Sequence, residues 1–377
     1  MFKIFFLFTL LITFLFSNDI KEYEPQKEFT QKINVAYYQG GDYPNYPLFL
    51  KSVIKSLSDY GWLNPIDLGN EKTAKGIWNK LANEAKSPYL SFKKDTFYSL
   101  NWEEKRRKSV SDEIIKRKDI DLIFAFGTWA GQDLVNEELS VPAFVMSVSN
   151  PITAGILKDS EKASNPFIFS AIDEKRYKRQ ISTFHKIIKF KTLGIVYEDT
   201  VSGESYASLN DIKELSLENN FKIQSCKVLS NDKKQLREKI IECYKKLSTS
   251  NIDAIYITTN PAYEASDLEY FIQDINTHKI PTFSQVGSSQ VEYGALMSIF
   301  RADFKYLGDF FAQSIGKIIN GAKPSSLDFK FDEPIKLAIN LETAILINWD
   351  IPLNVVAISD ELYQKTLTKN SLDLKDK

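Results

Sequence analysis

The chain has 377 residues, of which 43% are hydrophobic, 26% charged and 13% aromatic, and its formal net charge is −1 at pH 7. The length allows two domains of ordinary size. The balanced charge gives no electrostatic case for a nucleic-acid partner, and the composition is that of a globular protein.

The predicted elements begin with an export signal. Met1-Phe2-Lys3 carries one positive charge, Ile4 to Phe16 is apolar apart from Thr9 and Thr13, and Ser17-Asn18-Asp19 turns polar. Residues 1–17 read as a secretory signal peptide, because the apolar run is too short to span a bilayer. No Cys follows it to carry a lipid. Residues 19–32 are charged and patternless and read as a disordered lead-in. A strand is predicted from Ile33 to Tyr38, a turn at Gly40-Gly41 and a helix near Tyr46 to Tyr60. Residues 63–89 are polar with Gly and Pro, with one helix around Lys75 to Ala85. A short strand at Leu90 to Phe92, a helix from Trp102 to Arg117, a strand from Leu122 to Phe126 and a helix from Trp129 follow. The strand from Val141 to Met146 ends in Ser147-Val-Ser-Asn-Pro151.

A crossing segment begins at Phe167 to Ser170 and leads into a helix from Glu174 to Ile188. A second strand and helix series then starts. Strands are predicted at Leu193 to Tyr197, Lys222 to Leu229, Ala254 to Thr258, Pro281 to Gln285 and Ala295 to Phe300. Helices are predicted up to Asn219, from Lys233 to Leu247, from Ala262 to Thr277 and from Tyr306 to Asn320. The last strand is expected at Lys336 to Asn340. Alternation of this kind implies parallel sheets with crossover helices.

Two stretches resemble one another: Asp121-Leu-Ile-Phe-Ala-Phe-Gly-Thr-Trp-Ala130 and, 132 residues later, Asp253-Ala-Ile-Tyr-Ile-Thr-Thr-Asn-Pro-Ala262. Each runs from an acidic residue through an apolar strand into small polar residues where a helix begins. In open α/β sheets, turns at strand carboxyl ends are where small ligands bind. The fold class is therefore α/β, with two α/β lobes facing each other across a cleft. Candidate ligand-binding residues sit in the turns of both halves. From the first come Tyr38 and Gln39, Thr128 (at an expected helix N-cap) and Trp129, then Ser147, Ser149 and Asn150. From the second come Glu198, Ser202, Ser205 and Tyr206, then Thr259, Asn260 and Tyr263, then Gln285. The helix N-termini at Thr128 and near Ser202 suit an anionic group, and Tyr38, Trp129, Tyr206 and Tyr263 suit an apolar ring.

Cys226 and Cys243 fall on a strand and the following helix, so they either pair or remain buried thiols. No Gly-x-Ser-x-Gly, Walker or GxGxxG motif and no metal-ligand spacing appears. His185 and His278 read as surface residues. The expectation is no catalysis, no cofactor and no metal. An exported α/β enzyme is the competing class, and would need a nucleophile–base pair.

From Ile33 to about Tyr363 the chain resembles bacterial ABC-transporter substrate-binding proteins of the tryptophan/tyrosine-binding type. The resemblance rests on Phe126-Gly-Thr-Trp-Ala130, Ser149-Asn150-Pro151, Ile195-Val-Tyr-Glu-Asp199 with Ser202 to Ser208, and Asp253 to Thr259. Gly294-Ala-Leu296, Tyr306-Leu-Gly308, Asn340 to Ala344 and Ile351-Pro352 complete it. It implies a type I periplasmic binding protein: two Rossmann-like lobes with parallel sheets joined by three hinge crossovers, with lobes at 33–188 plus 295–324 and at 189–294 plus 325–366. It also implies a periplasmic monomer that delivers a small molecule to a membrane permease and its ATPase. The same lobes serve sensors that report to a membrane kinase or chemoreceptor. In this chain Asn150 stands where the family has Asp, Thr259 replaces another family Asp, and residues 63–89 look inserted. An amino-acid ligand would need Asp42, Glu198 or Asp199 for its ammonium group. Thr128→Ala and Asn260→Ala are expected to weaken binding without unfolding the protein, as ligand titration of the two variants would measure.

Overall fold

The computed structural model describes residues 21–230, 232–299 and 304–368; the expected signal peptide at 1–17 lies outside the described residues. Ile33-Asn-Val-Ala-Tyr-Tyr-Gln39 forms β1 (Ile33–Gln39), which is buried from Val35 onward. A strand with no polar face belongs inside a parallel sheet covered on both sides. β1 accordingly lies between β2 (Leu90–Ser99) and β3 (Leu122–Phe126), with β4 (Ala143–Met146) beyond β3. A small hairpin of β5 (Leu157–Asp159) and β6 (Lys162–Ala163) precedes β7 (Ile168–Ser170), which closes the sheet next to β4. Every pairing in this first sheet is parallel.

The pleat sends successive side chains to opposite faces. Val35 and Tyr37 enter a core shared with the helices Asn45–Asp59, Ala74–Glu84 and Lys305–Ile319. Ala36 and Tyr38 enter a second core, under the helices Arg107–Lys116 and Thr128–Val135. The second sheet contains β8 (Thr192–Glu198), β9 (Lys222–Val228), β10 (Ala254–Ile257), β11 (Thr282–Ser284), β12 (Met297–Ser298), β13 (Leu337–Asn340) and β14 (Ser359–Tyr363). Their order is β14-β13-β12-β11-β10-β8-β9, and β12 with β13 is its antiparallel pair. Ile195 and Tyr256 pack with Phe184 on one face, and Val196 and Ile255 with Tyr244 on the other. Each such fully buried apolar side chain contributes about 1.5–3 kcal/mol.

The chain passes between the lobes after β7, between β12 and the helix Lys305–Ile319, and again before β13. The first and last crossings run side by side: Ile172 N–H donates to the Phe329 carbonyl (2.7 Å) and Phe331 N–H to the Ile172 carbonyl (2.9 Å). Two lobe boundaries differ from the sequence expectation. The helix Arg176–Ile188 packs its Ile181 and Phe184 into the second lobe, so the change of lobe comes before residue 189. Met297 and Ser298 pair in the second sheet, so the return falls after residue 295.

Other elements differ for local reasons. Residues 21–32 are not loose: Trp62 Nε1 donates to the Tyr23 carbonyl (2.7 Å), and Asn320 Nδ2 to the carbonyls of Glu22 and Glu24. The 63–89 stretch contributes Leu63, Leu68, Ile77, Trp78 and Leu81 to the first core. The expected helix at 262–277 is broken into a 3-10 turn at Ala265–Tyr270 and a helix at Ile272–Thr277, because a Glu264–Asp267 capping box starts a new turn. β14 goes unpredicted because it is a short edge strand with exposed alternate positions.

Cys226 and Cys243 form a disulfide that ties β9 to the helix Lys233–Ser248. A loop of this size is stabilised by about 3 kcal/mol. Denatured, unreduced protein should therefore show no titratable thiol, and the Cys226→Ser/Cys243→Ser variant should lose about 2–4 kcal/mol in urea unfolding.

Candidate ligand-binding site

Both halves of the sequence repeat end at one cavity between the lobes. After β3 the chain turns at Gly127, whose φ of 89° lies in the left-handed region that favours glycine. A side chain there would overlap the Tyr46 hydroxyl. Gly127 is therefore the N-cap, and Thr128, expected in that role, is the first residue of the helix and is buried against the cavity. After β4, Ser147 (φ 57°) turns the chain so that Ser147 and Ser149 line the same space.

The second lobe supplies Tyr206, Thr259 and Gln285. Gln285 organises this wall. Its side-chain carbonyl accepts from Thr259 N–H (2.7 Å), and its amide donates to the Tyr206 carbonyl (2.8 Å) and the Ser208 hydroxyl (3.0 Å). One side chain thus ties two turns together, the one at Thr259 and the one at Tyr206 to Ser208. The lobes touch at the rim, where the Thr153 and Ser205 hydroxyls are 3.0 Å apart. Tyr206 also reaches Thr128 and Ser202.

The first lobe adds an aromatic wall that was not expected: Tyr43, Tyr46 and Trp102. Trp102 sits at φ 61° after Asn101 at φ 53°, two consecutive left-handed residues without glycine. Such a conformation costs of order 1–3 kcal/mol per residue and persists only when held from outside. Here Trp102 N–H donates to the Gly40 carbonyl (2.8 Å), Nε1 to the Asp42 carbonyl (3.2 Å), and the ring packs edge-on to Trp129 at 5.5 Å. A Cβ at Gly41 would overlap the Trp102 indole. Arg107 covers the Trp129 ring at 5.0 Å and is itself paired with Asp133. Burial pushes the pKa of the Tyr43, Tyr46 and Tyr206 hydroxyls up and so opposes their ionisation, and they stay neutral hydrogen-bonding groups. The hinge contributes Asp173, Arg176, Tyr177 and Glu333.

Of the residues expected in the site, Thr128, Trp129, Ser147, Ser149, Tyr206, Thr259 and Gln285 line the cavity. The others lie elsewhere. Tyr38 faces the outer core and donates to Asp133; Gln39 holds Asp42 (2.9 Å) and Ser99 (3.3 Å). Asn150 accepts from Ile152 and Thr153 N–H in its own turn, and Asn260 from Ala262 N–H (2.8 Å). Tyr263 is buried in the second lobe, donating to the Thr258 carbonyl. Glu198 is half-buried beside Asn260, and burial raises its carboxyl. Ser205 is at the rim. Ser202 belongs to a six-residue helix already capped by the Thr200 hydroxyl on Gly203 N–H (2.9 Å), so no anion site opens there. Asp199 pairs with Lys227 (3.0 Å). Among the described residues no group of three or more His, Cys, Asp or Glu could hold a metal ion.

The model of the family described as ABC transporter substrate binding protein matches residues 70–362. No curated protein matches the sequence. Among solved structures, the fold is similar to an ABC domain from Streptococcus pneumoniae in complex with L-Trp (18% identity, 88% of this chain and 100% of that one, TM-score 0.66). A conserved domain protein from Vibrio cholerae is similar at 19% identity, with 88% and 100% covered and TM-score 0.65. The open, ligand-free form of a substrate binding protein with adhesive properties from Clostridium difficile is similar at 21% identity, with 89% and 100% covered and TM-score 0.61. The two-lobed fold is that of type I periplasmic binding proteins.

Asn260 and Thr128 now have different expected behaviours. Asn260→Ala leaves Ala262 N–H buried without its acceptor and should cost about 1–3 kcal/mol of stability. Thr128→Ala should stay within about 1 kcal/mol of the parent protein; chemical unfolding of both variants checks this.

Proposed function

The chain belongs to the ABC transporter substrate-binding protein family, and from that premise we propose that it captures a small aromatic molecule, an aromatic α-amino acid first of all, between its lobes in the periplasm and delivers it to a membrane permease and its ATPase. The observation that carries this reading is the cavity between the lobes walled by Tyr43, Tyr46, Trp102, Trp129 and Tyr206. Aromatic walls stack on ligand rings at modest entropic cost, and the polar groups among them are hydroxyls and amides that orient rather than react. The Streptococcus pneumoniae relative bound to L-Trp supports the same ligand class.

Export is supported by the apolar run Ile4 to Phe16 and by the Cys226–Cys243 disulfide, which suits an oxidising compartment. Among the described residues no helix is long and apolar enough to cross a membrane. A binding role without turnover is supported by the placement of both histidines. His185 packs against Phe190 and Phe221, His278 bonds the Asp274 carbonyl, and neither lines the cavity. The protein works as a monomer in this reading. A ligand that touches Thr128 in one lobe and Thr259 in the other favours the closed pair of lobes by its differential contacts with them. Closure then presents both lobes to the permease together.

The test is a thermal-shift screen of amino acids and related solutes, followed by calorimetric titration. A true ligand at about a hundredfold excess over its dissociation constant stabilises the fold by ~2.7 kcal/mol. Tryptophan or tyrosine is expected to give the largest shift. A flat response to both, with a clear shift from an unrelated solute, would replace this ligand class.

A further inference from the structure

Most of the cavity wall carries hydroxyls and amides. One stretch differs: Phe304, Leu307, Phe311 and Phe331 present hydrocarbon side chains. The first three belong to the helix Lys305–Ile319 and its N-cap, where the second crossing enters the first lobe, and Phe331 lies on the last crossing. A wall of this kind offers a ligand no hydrogen bond, so it discriminates by shape.

Within this stretch Phe304 is held in place at a conformational cost. Its φ of 54° lies in the left-handed region, where a Cβ is unfavourable and glycine is the ordinary residue. Its ring stacks on Phe49 at 5.2 Å and within 6° of parallel. Its carbonyl accepts from the Ser52 hydroxyl (3.1 Å) and from Gly308 N–H (2.7 Å). Gly308 lets the helix Asn45–Asp59 come this close, because a Cβ there would overlap Ser52. Phe49 in turn packs edge-on to Phe126 and Phe311, at 5.7 and 5.5 Å. Turning the Phe304 ring out of the cavity wall would give up the Phe49 stack. Phe311 is a core residue, 1% exposed. Phe304 is half-buried, packed against the first core and lining the cavity.

On the aromatic amino-acid reading given above, we propose that Phe304 is the specificity-determining residue of the cavity. Its fixed ring limits the depth open to the ring system of the ligand. A larger side chain at this position shortens that depth and a smaller one lengthens it. Neither alters the hydroxyls and amides that meet the rest of the ligand.

Calorimetric titrations with L-phenylalanine, L-tyrosine, L-tryptophan and L-naphthylalanine test this on the wild type and on Phe304→Ala, Phe304→Gly and Phe304→Trp. The affinity for the two bicyclic ligands relative to phenylalanine is expected to rise about 10-fold or more in Phe304→Ala and Phe304→Gly, the range for a few carbon atoms in an apolar pocket. In Phe304→Trp the same ratio should fall by a similar factor. The glycine variant accepts the left-handed backbone and keeps the test open where loss of the Phe49 stack leaves the alanine variant unfolded. A ring that serves only the core would change every affinity by a common factor and leave the ratios as in the wild type. That result would overturn the assignment and leave the amino-acid reading standing. A wild type that binds none of the four would remove that reading, and the assignment with it.

Discussion

Two backbone hydrogen bonds, between Ile172 and the Phe329–Phe331 segment, join the first and last crossings into one narrow ribbon. The relative position of the lobes depends on that ribbon. Each lobe has cores of its own on both faces of its sheet and needs nothing from the other to bury its strands. What the lobes share is the crossing segments, the cavity beside them and the rim contact between Thr153 and Ser205. Arg179 reinforces the ribbon by gripping Asp173 from one crossing and the Glu333 carbonyl from the other. Motion about this line therefore costs few packed contacts, as expected of a hinge between rigid bodies.

The cavity walls are held by residues that do not themselves face it. Tyr38 donates to Asp133, Asp133 pairs with Arg107, and Arg107 lies over Trp129. Gln39 positions Asp42, whose carbonyl accepts from Trp102. In the second lobe, Gln285 sets Thr259 and Tyr206 at once. Buried polar groups satisfied in this way rigidify a site, leaving hinge rotation as the main freedom when a ligand arrives.

Much of the architecture was legible in the residues. Apolar runs such as Leu122–Phe126 and Ala254–Ile257, each followed by small polar residues, mark buried parallel strands with turns at their carboxyl ends. The cavity does form between those turns. Side-chain direction within the turns was not legible. Tyr38 ends a strand at the correct end of the sheet, but pleat alternation points it outward, while Tyr43 and Tyr46, one loop further on, reach the cavity. Asn150 and Asn260 look like ligand-binding amides, yet their own backbones use them first. Arg176, the first residue of a helix, and Glu333, on a crossing segment without periodicity, were missed because their charges resemble solvated ones until the fold turns them toward the cavity. Trp102 could have been suspected from Gly40-Gly41, since two adjacent glycines leave room for something large to lie on the backbone.

The strained tryptophan has a practical consequence. Trp62 and Trp78 are fully buried in the first core, away from the hinge, whereas Trp102 and Trp129 meet edge to face in the cavity wall. Indole emission reports local polarity and neighbouring charge. A molecule taken into the cavity would therefore change the surroundings of Trp102 and Trp129 and leave those of Trp62 and Trp78 as they are, a difference readable in real time without attaching a dye.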